Sequence, residues 1–465
     1  MGLPIRRCSA VPLPCPNATF SKKNTPFAAH PPKCAYCVYN LNFTAMQLSK
    51  TLLFLMISLG VVLFSSCNKE EEYTYEALSP VYMDFEEFRQ APKAKAPRAI
   101  KQSGKIYFKD NYIFINEPFE GIHVINNTFP GSPEKVAFYE ILGNVDLAIR
   151  GNILFADSYI GLIALDISNL LNPVEVGRIE NIFPEVLPMA DEDLPWAWGE
   201  IDRSKGVIVG WKKKLITTTY STGHWLWGWR GHDDLAMFAN SESGAGVAGS
   251  MARFMLHQHY LYSIAQPWVL KTIDVSQPSM MVQTDSIHTW REMETLFRYQ
   301  EHLFVGTTTG MVIYSLEDPS QPAFVSDLNH INACDPVVVE NNIAYVTLRS
   351  GNWCMNTTNQ LDVVDISDIT HPVLLKSYPM FNPHGLGIDN NVLFICDGAA
   401  GLKVYDATNP LAIQSNMIAH FPGIDTYDVI PLGNVLLLIG QDGLFQYDYS
   451  DPTNIVLISH IQVGQ

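Results

Sequence analysis

Gly161-Leu162-Ile163-Ala164-Leu165-Asp166, running on into Ile167-Ser168-Asn169-Leu170-Leu171-Asn172-Pro173, reads as a short strand entered from a turn residue and closed by a polar one. The same six-residue form stands as GIHVIN from Gly121, VLKTID from Val269, GMVIYS from Gly310, QLDVVD from Gln360, GLKVYD from Gly401 and GLFQYD from Gly443. The seven starts are spaced 40, 108, 41, 50, 41 and 42 residues apart. Five begin with glycine, as a tight hairpin that needs positive φ demands. Asp166, Asp274, Asp365 and Asp406 are each followed two places later by Ser or Thr and then by a proline, Pro173, Pro278, Pro372 and Pro410. Such a side chain bonds the next backbone amides and closes the turn.

Upstream of each unit is a further pair of apolar runs, such as Leu147-Ala148-Ile149 with Ile153-Leu154-Phe155, so each repeat supplies about four short strands. A four-stranded blade has two apolar faces, and only a closed ring buries both. The spacing therefore predicts an all-β chain, a β-propeller of seven four-stranded blades over residues 105–465. The interval of 108 exceeds one blade by nearly 70 residues, which places a long insertion, 181–250, between blades two and three. An eighth blade starting from Gly206-Val207-Ile208-Val209-Gly210-Trp211 is the alternative, disfavoured because no second Asp-Ser-Pro turn appears there. The interval of 50 implies another loop, 349–358, with Trp353 and Cys354.

Ahead of the repeats the composition changes. Residues 1–66 hold six Lys or Arg and no acid; taking those six from the chain's 30 basic and 47 acidic residues leaves 67–465 with a net charge of −23. Such a surface repels phosphate backbones and anionic lipid, so nucleic acid is not an expected partner. Lys50, the apolar run 52–64 and then Ser65-Ser66-Cys67 have the zones of a secretion signal. Thirteen helical residues rise only about 20 Å, short of a membrane span. Met46 is read as the true start, with 1–45 a mis-assigned leader and 46–66 the signal peptide. Residues 67–104, acidic and then rich in Pro, Ala and Lys, read as a flexible tether. Four of the eight cysteines (Cys8, Cys15, Cys34, Cys37) fall in the leader; beyond Cys67, the three left, Cys334, Cys354 and Cys396, allow at most one disulfide.

The Cys67 context resembles a bacterial lipobox, with Ser65 and Ser66 fitting and Phe64 where Leu is usual. Asn68-Lys69-Glu70-Glu71-Glu72 resembles the signal that sends lipoproteins to the outer face of the outer membrane. The repeats themselves resemble the family named for its Leu-Val-Ile-Val-Asp (LVIVD) repeat, found in surface lipoproteins of the Bacteroidetes type. The likeness is strongest in Gly143-Asn144-Val145-Asp146-Leu147-Ala148-Ile149 and Gly151-Asn152-Ile153-Leu154-Phe155-Ala156-Asp157-Ser158 and covers about 105–180 and 250–465. It implies a lipid-anchored propeller, with Cys67 as the lipidation site, the chain held to the membrane by its anchor and displayed at the surface, the periplasmic face being the alternative. No common activity comes with the resemblance.

Two constellations are candidates for function. Counting back about ten residues from the aromatic or leucine of each second strand gives Asp146, Glu294, Asp335, His384 and Asp428. As the opening strand of a blade lines the central channel, these would ring one channel mouth. Carboxylates and an imidazole there suit a divalent cation, the one candidate cofactor, or a polar ligand. Two carboxylates forced together suit acid–base chemistry, and capping of backbone amides is the purely structural alternative. Blades one and three break the ring, with Lys105 or Gly104 and Ala252 near the equivalent places. The second constellation is the Trp-rich insertion, with Trp225, Trp227 and Trp229 beside His224, Arg230 and His232, an aromatic surface suited to a protein or glycan partner. No phosphate-binding loop, His-Glu-x-x-His or Gly-x-Ser-x-Gly motif occurs. The reading is a binding or scaffold module. A carbohydrate-active hydrolase or lyase working through the mouth carboxylates is the alternative.

Overall fold

Each six-residue unit forms the third strand of a four-stranded antiparallel meander, and seven such sheets follow one another along the chain. A computed structural model describes residues 70–184, 187, 188, 190, 194–221, 251–329, 336–350 and 358–464. Blade 1 spans 106–140, blade 2 147–179, blade 3 254–288, blade 4 293–329, blade 5 337–379, blade 6 386–421 and blade 7 426–462. The opening strands of successive blades touch one another, so they form the inner wall of the ring. The fold is the expected seven-bladed β-propeller.

The two middle strands of a blade are nearly continuous apolar runs because neighbouring blades cover both their faces; Gly161–Asp166 is buried up to its last residue. Phe114, Phe155, Tyr262, Phe304, Tyr345, Phe394 and Leu437 stand at one register position in the seven second strands, all buried. The outer strands are open on one side, and in Val373–Pro379 only Tyr378 is buried. In every blade the pairing of third and fourth strands shifts register once, a bulge that adds right-handed twist.

The turns between third and fourth strands close as the sequence indicates. Asp166 Oδ1 accepts from the Ser168 amide at 2.8 Å, and Asp274, Asp365 and Asp406 do the same for Ser276, Ser367 and Thr408. These turns also tie blades together. Tyr139 donates to the Leu170 carbonyl of the next blade (2.9 Å), Ser326 to Ile369 (2.6 Å), Tyr378 to Pro410 (2.9 Å) and, across the chain ends, Ser459 to Pro130 (2.6 Å).

The ring closes without interleaving: blade 1 comes from the N-terminal part of the propeller and blade 7 from the C-terminal end. Their seam is an apolar layer of Ile106, Ile113, Ile115 and Ile125 against Ile430, Leu437, Ile439 and Leu444. Within it Asn127 and Gln446 exchange two side-chain hydrogen bonds, at 2.9 and 2.7 Å. Ser103 donates to the Gly440 carbonyl at 2.9 Å, and the Gly464 amide to Ile100 at 2.7 Å.

Residues 70–95 correct the tether assignment. Glu70–Met83 is a strand paired in antiparallel register with Val207–Ser221 of the insertion, from Met83 opposite Val207 to Glu70 opposite Ser221. This two-stranded ribbon accounts for the Gly206-Trp211 strand, which builds no eighth blade. Phe85–Phe88 follows as one helical turn capped by Asp84, and Lys93–Lys95 adds a fifth strand to blade 1. Local composition hid this because each segment is ordered by a distant partner: the ribbon pairs residues more than 120 apart, and Ala94 packs on the core of blades 1 and 2. Among the described residues no helix is long and apolar enough to cross a membrane.

Candidate functional site

An antiparallel meander that starts on its inner strand sorts its loops by face. The starts of the opening strands, the links between blades and the turns between second and third strands share one face; the Asp-capped turns lie on the other. The chain leaves blade 2 after Ile179 and enters blade 3 at Phe254 on the link face, and the second strand of blade 5 ends at Leu348 and its third begins at Gln360 on that same face, the face of the mouth residues Asp146, Glu294, His384 and Asp428.

Asp146 stands just before the opening strand of blade 2, 2 % exposed. Its Oδ2 receives the Lys105 ammonium of blade 1 at 2.7 Å and the amides of Arg253 and Phe254 of blade 3 at 2.8 and 3.1 Å; Oδ1 accepts the Leu147 amide at 2.7 Å. One carboxylate thus joins three blades. Lys105 and Arg253 occupy the same register position as Asp146 in blades 1 and 3. Burial pulls both cations down from their ordinary values, and Asp146 pulls each back; Glu294 of blade 4 does so as well for Arg253. Lys105, Asp146, Arg253 and Glu294 therefore alternate in sign from blade 1 to blade 4. The places where the expected ring of acids is broken hold its counter-charges.

Asp157, at the end of the second strand of blade 2, lies under this array. Its Oδ1 accepts three hydrogen bonds, from the Val145 amide (2.7 Å), the Asp146 amide (2.9 Å) and Asn144 Nδ2 (2.8 Å). Burial nonetheless raises its carboxyl to about 6, with the Asp146 charge adding to the rise. Asp146, Asp157, Arg253 and Ser263 line one small pocket between blades 2 and 3, with Tyr159, Phe183 and Phe254 as its apolar wall. The Ser263 hydroxyl is buried there without a hydrogen-bond partner.

On the other side of the ring His384, 3 % exposed, has Nδ1 3.2 Å from Arg349 Nη1 and Nε2 3.2 Å from Asn382 Nδ2. Burial, followed by the Arg349 charge, lowers the imidazole to about 3, so it is neutral at any ordinary pH. Asp428 stands in blade 7 at the register place of Asp146, opposite the fifth residue of its second strand, but inside the strand instead of ahead of it. A register shift lies between Thr426 and Asp428, and Asp428 pairs with Ile439 inside the strand. Its Oδ1 accepts the Val429 amide at 2.9 Å and fills the space a Cβ on Gly385 would take, at 2.1 Å. Backbone capping by a carboxylate recurs in blade 6, where Asp397 accepts the Phe381 and Asn382 amides and pairs with Lys403.

The structure thus brings together Asp146 and Glu294 through Arg253, and places His384 and Asp428 in adjoining blades with Tyr427 5.9 Å from the imidazole, ring to ring. Asp335, Trp225, Trp227, Trp229 and Cys67 lie outside the described residues. Among the described residues no three of His, Cys, Asp and Glu form a group able to hold a metal ion. Sequence reasoning missed Arg253, Asp157 and Arg349. A search for charges of either sign at the strand starts would have found Arg253, beside the Ala252 that was scored as a gap.

The family model for the LVIVD repeat matches residues 144–181 and 332–379, which are blades 2 and 5 with their lead-in segments. Among curated proteins none matches the chain. Solved structures similar to it include the computationally designed Ika8 protein (10 % identity, TM-score 0.48, 80 % of this chain and 91 % of that one). BamB from Moraxella catarrhalis (7 %, 0.45, 80 % and 97 %) and the Cps50 (Swd1) β-propeller domain of Myceliophteria thermophila (8 %, 0.45, 79 % and 99 %) are others. At these scores they carry no argument beyond the propeller already described. The chain is a seven-bladed β-propeller that carries LVIVD repeats.

Proposed function

We propose that this propeller is a non-enzymatic binding or scaffold module, held to the outer membrane by an acyl chain on Cys67 and offering its link face to a protein or glycan partner. The carrying observation is the pairing of charges at the channel mouth. Asp146 is engaged by Lys105 and three backbone amides, which leaves it to join blades rather than to act on a ligand. A rigid ring with loops gathered on one face suits recognition. The ribbon adds reach on that face: its outer half is open, with Tyr73 58 % and Leu215 66 % exposed, and the chain continues from Ser221 toward Trp225, Trp227 and Trp229.

Acyl labelling of cells expressing the full chain is expected to mark the wild type and not Cys67→Ala, and protease added to intact cells to digest it. Label on the Cys67→Ala protein removes the anchor from the proposal. Replacing Trp225, Trp227 and Trp229 together with Ala is expected to abolish capture of an envelope partner at unchanged melting temperature. Capture that survives moves the partner elsewhere on the face.

One observation favours a second reading, a carbohydrate-active hydrolase or lyase with or without a divalent cation. Asp157, raised to about 6 beside Asp146, has the value of a general acid near neutral pH. Turnover lost in Asp157→Asn, Asp335→Asn or Asp428→Asn with folding intact, or a stoichiometric metal lost on Asp428→Asn, establishes that reading over the first.

A further inference from the structure

The ribbon of Glu70–Met83 and Val207–Ser221 has two unlike halves. Its inner half is packed. Ala77, Leu78 and Ser79 are buried, the Leu78 amide donates to the Pro195 carbonyl and the Ala197 amide to the Leu78 carbonyl, each at 2.9 Å, and Ser79 and Lys214 both bind the Glu200 carboxylate. The outer half, Glu70–Glu76 against Leu215–Ser221, runs on for roughly 20 Å at the usual rise of a strand. There Glu72–Glu76 and Leu215–Thr218 are all exposed or half-buried. A two-stranded ribbon alone is marginal in water, so an outer half in regular register calls for a surface to lie on.

Side chains alternate along a strand, which gives that half two faces. Tyr73 and Tyr75 share one, their rings stacked with centroids 5.7 Å apart and Ile216 and Thr218 opposite them. Glu72, Thr74 and Glu76 share the other, where the Thr74 and Thr217 hydroxyls meet at 3.0 Å and Leu215 is the one apolar side chain among the described residues. The outer half is therefore amphipathic, aromatic on one side and acidic on the other. Only Asn68 and Lys69 separate this strand from Cys67. Three residue steps of extended chain span at most about 11 Å, comparable with the depth of one headgroup layer, on the order of 5–8 Å.

We propose that the outer half of the ribbon lies in the headgroup layer of the bilayer that holds Cys67, with Tyr73, Tyr75 and Ile216 toward the lipid and Glu72 and Glu76 toward water. The proposal rests on the acyl anchor of the preceding reading and replaces its slack tether with a strand tied down at its end. Tyrosine suits that layer, since its ring is apolar and its hydroxyl meets water and headgroups. The lipid that fits is zwitterionic, because residues 67–465 carry a net charge of −23 and repel an anionic surface. The acidic face with Leu215, and the ring itself, stay free for a partner.

The test is site-specific photo-cross-linking of the full chain, purified with its acyl chains and reconstituted in phosphatidylcholine–phosphatidylethanolamine vesicles. Benzoylphenylalanine is placed singly at Tyr73, Tyr75 and Ile216 and, on the other face, at Glu72, Thr74 and Glu76, with melting temperatures checked against the wild type. Lipid adducts are expected at the first three positions in at least several-fold higher yield than at the second three. Equal yields on both faces, or no lipid adduct at any position, in protein that floats with the vesicles overturns the proposal and leaves the anchor standing. Adducts of Tyr73 and Tyr75 at twice the chain mass give the face to a second copy and overturn it too. Protein that carries no acyl mass and does not float removes the anchor reading, and this proposal with it.

Discussion

Two buried groups titrate with opposite effect on stability, and their windows overlap. His384 has its folded value lowered from 6.5 to about 3, so the unfolded chain binds the proton first, and stability falls as pH drops through that interval by up to about 1.4 kcal/mol per unit. Asp157 is raised from 3.8 to about 6, so the folded state takes the proton first, and stability falls as pH rises through that interval. Between about pH 4 and 6 the two slopes offset each other. Denaturant melts of Asp157→Asn, which keeps an Oδ1 to accept the same three hydrogen bonds, are expected to show steeper acid destabilisation than wild type; His384→Gln is expected to show shallower. Equal slopes in all three proteins would contradict both assignments. Lys105 gives a third expectation. Lys105→Met leaves the Asp146 carboxylate buried without its cation and should cost about 3–5 kcal/mol, part of it restored in the Lys105→Met/Asp146→Asn double variant. The sequence placed Asp146, Glu294, His384 and Asp428 on opening strands or at their starts by counting from the second-strand aromatic. Their partners escaped it because a search for acids discards the lysine and arginine at the same register. The register shift before Asp428 is set by hydrogen bonding across the sheet and leaves no mark in the spacing.

Among the elements, the turn between third and fourth strands does two jobs, closing its own hairpin and receiving a hydroxyl from the blade before. Tyr378 shows the coupling: its hydroxyl donates to the Pro410 carbonyl and accepts the Ile413 amide at 3.1 Å. Tyr378→Phe removes both bonds inside a buried layer and leaves the Ile413 amide unsatisfied, so a loss of about 1–3 kcal/mol in denaturant midpoint stability is expected, against no more than a few tenths for the exposed Ser415→Ala. The turn itself was legible, since Asp-x-Ser or Asp-x-Thr is a local signal that needs only neighbouring amides. The hydroxyl from the previous blade was not, because Tyr139, Ser326, Tyr378 and Ser459 vary in type while serving one place in the ring. The ribbon lies further still from local reading. Glu70–Met83 carries Tyr and Val among its acids, but a strand declares itself in sequence only when its alternation matches a buried face, and here the outer half has none.

In the whole molecule, a ring built from consecutive repeats must join ends that share no strand. The seven-fold repetition was readable because each blade buries the same pattern against its neighbours. The closure was not, because its polar lock, Asn127 with Gln446, joins residues 319 apart in positions that the other blades fill differently. That lock lies within an apolar seam, so cutting it leaves one buried amide facing an apolar gap. Asn127→Ala and Gln446→Ala are each expected to cost about 1–3 kcal/mol, and the double variant less than their sum, as for two partners of one interaction. The location of the damage is the sharper expectation. Nearest-neighbour packing dominates a repeat ring, so opening the seam should release blades 7 and 1 before the blades opposite. In hydrogen exchange, the amides of 106–126 and 426–448 in Asn127→Ala should lose protection relative to wild type while those of 302–315 and 337–348 keep theirs. Uniform loss around the ring would mean that the propeller unfolds as one unit and that closure is no weaker than any other junction between blades.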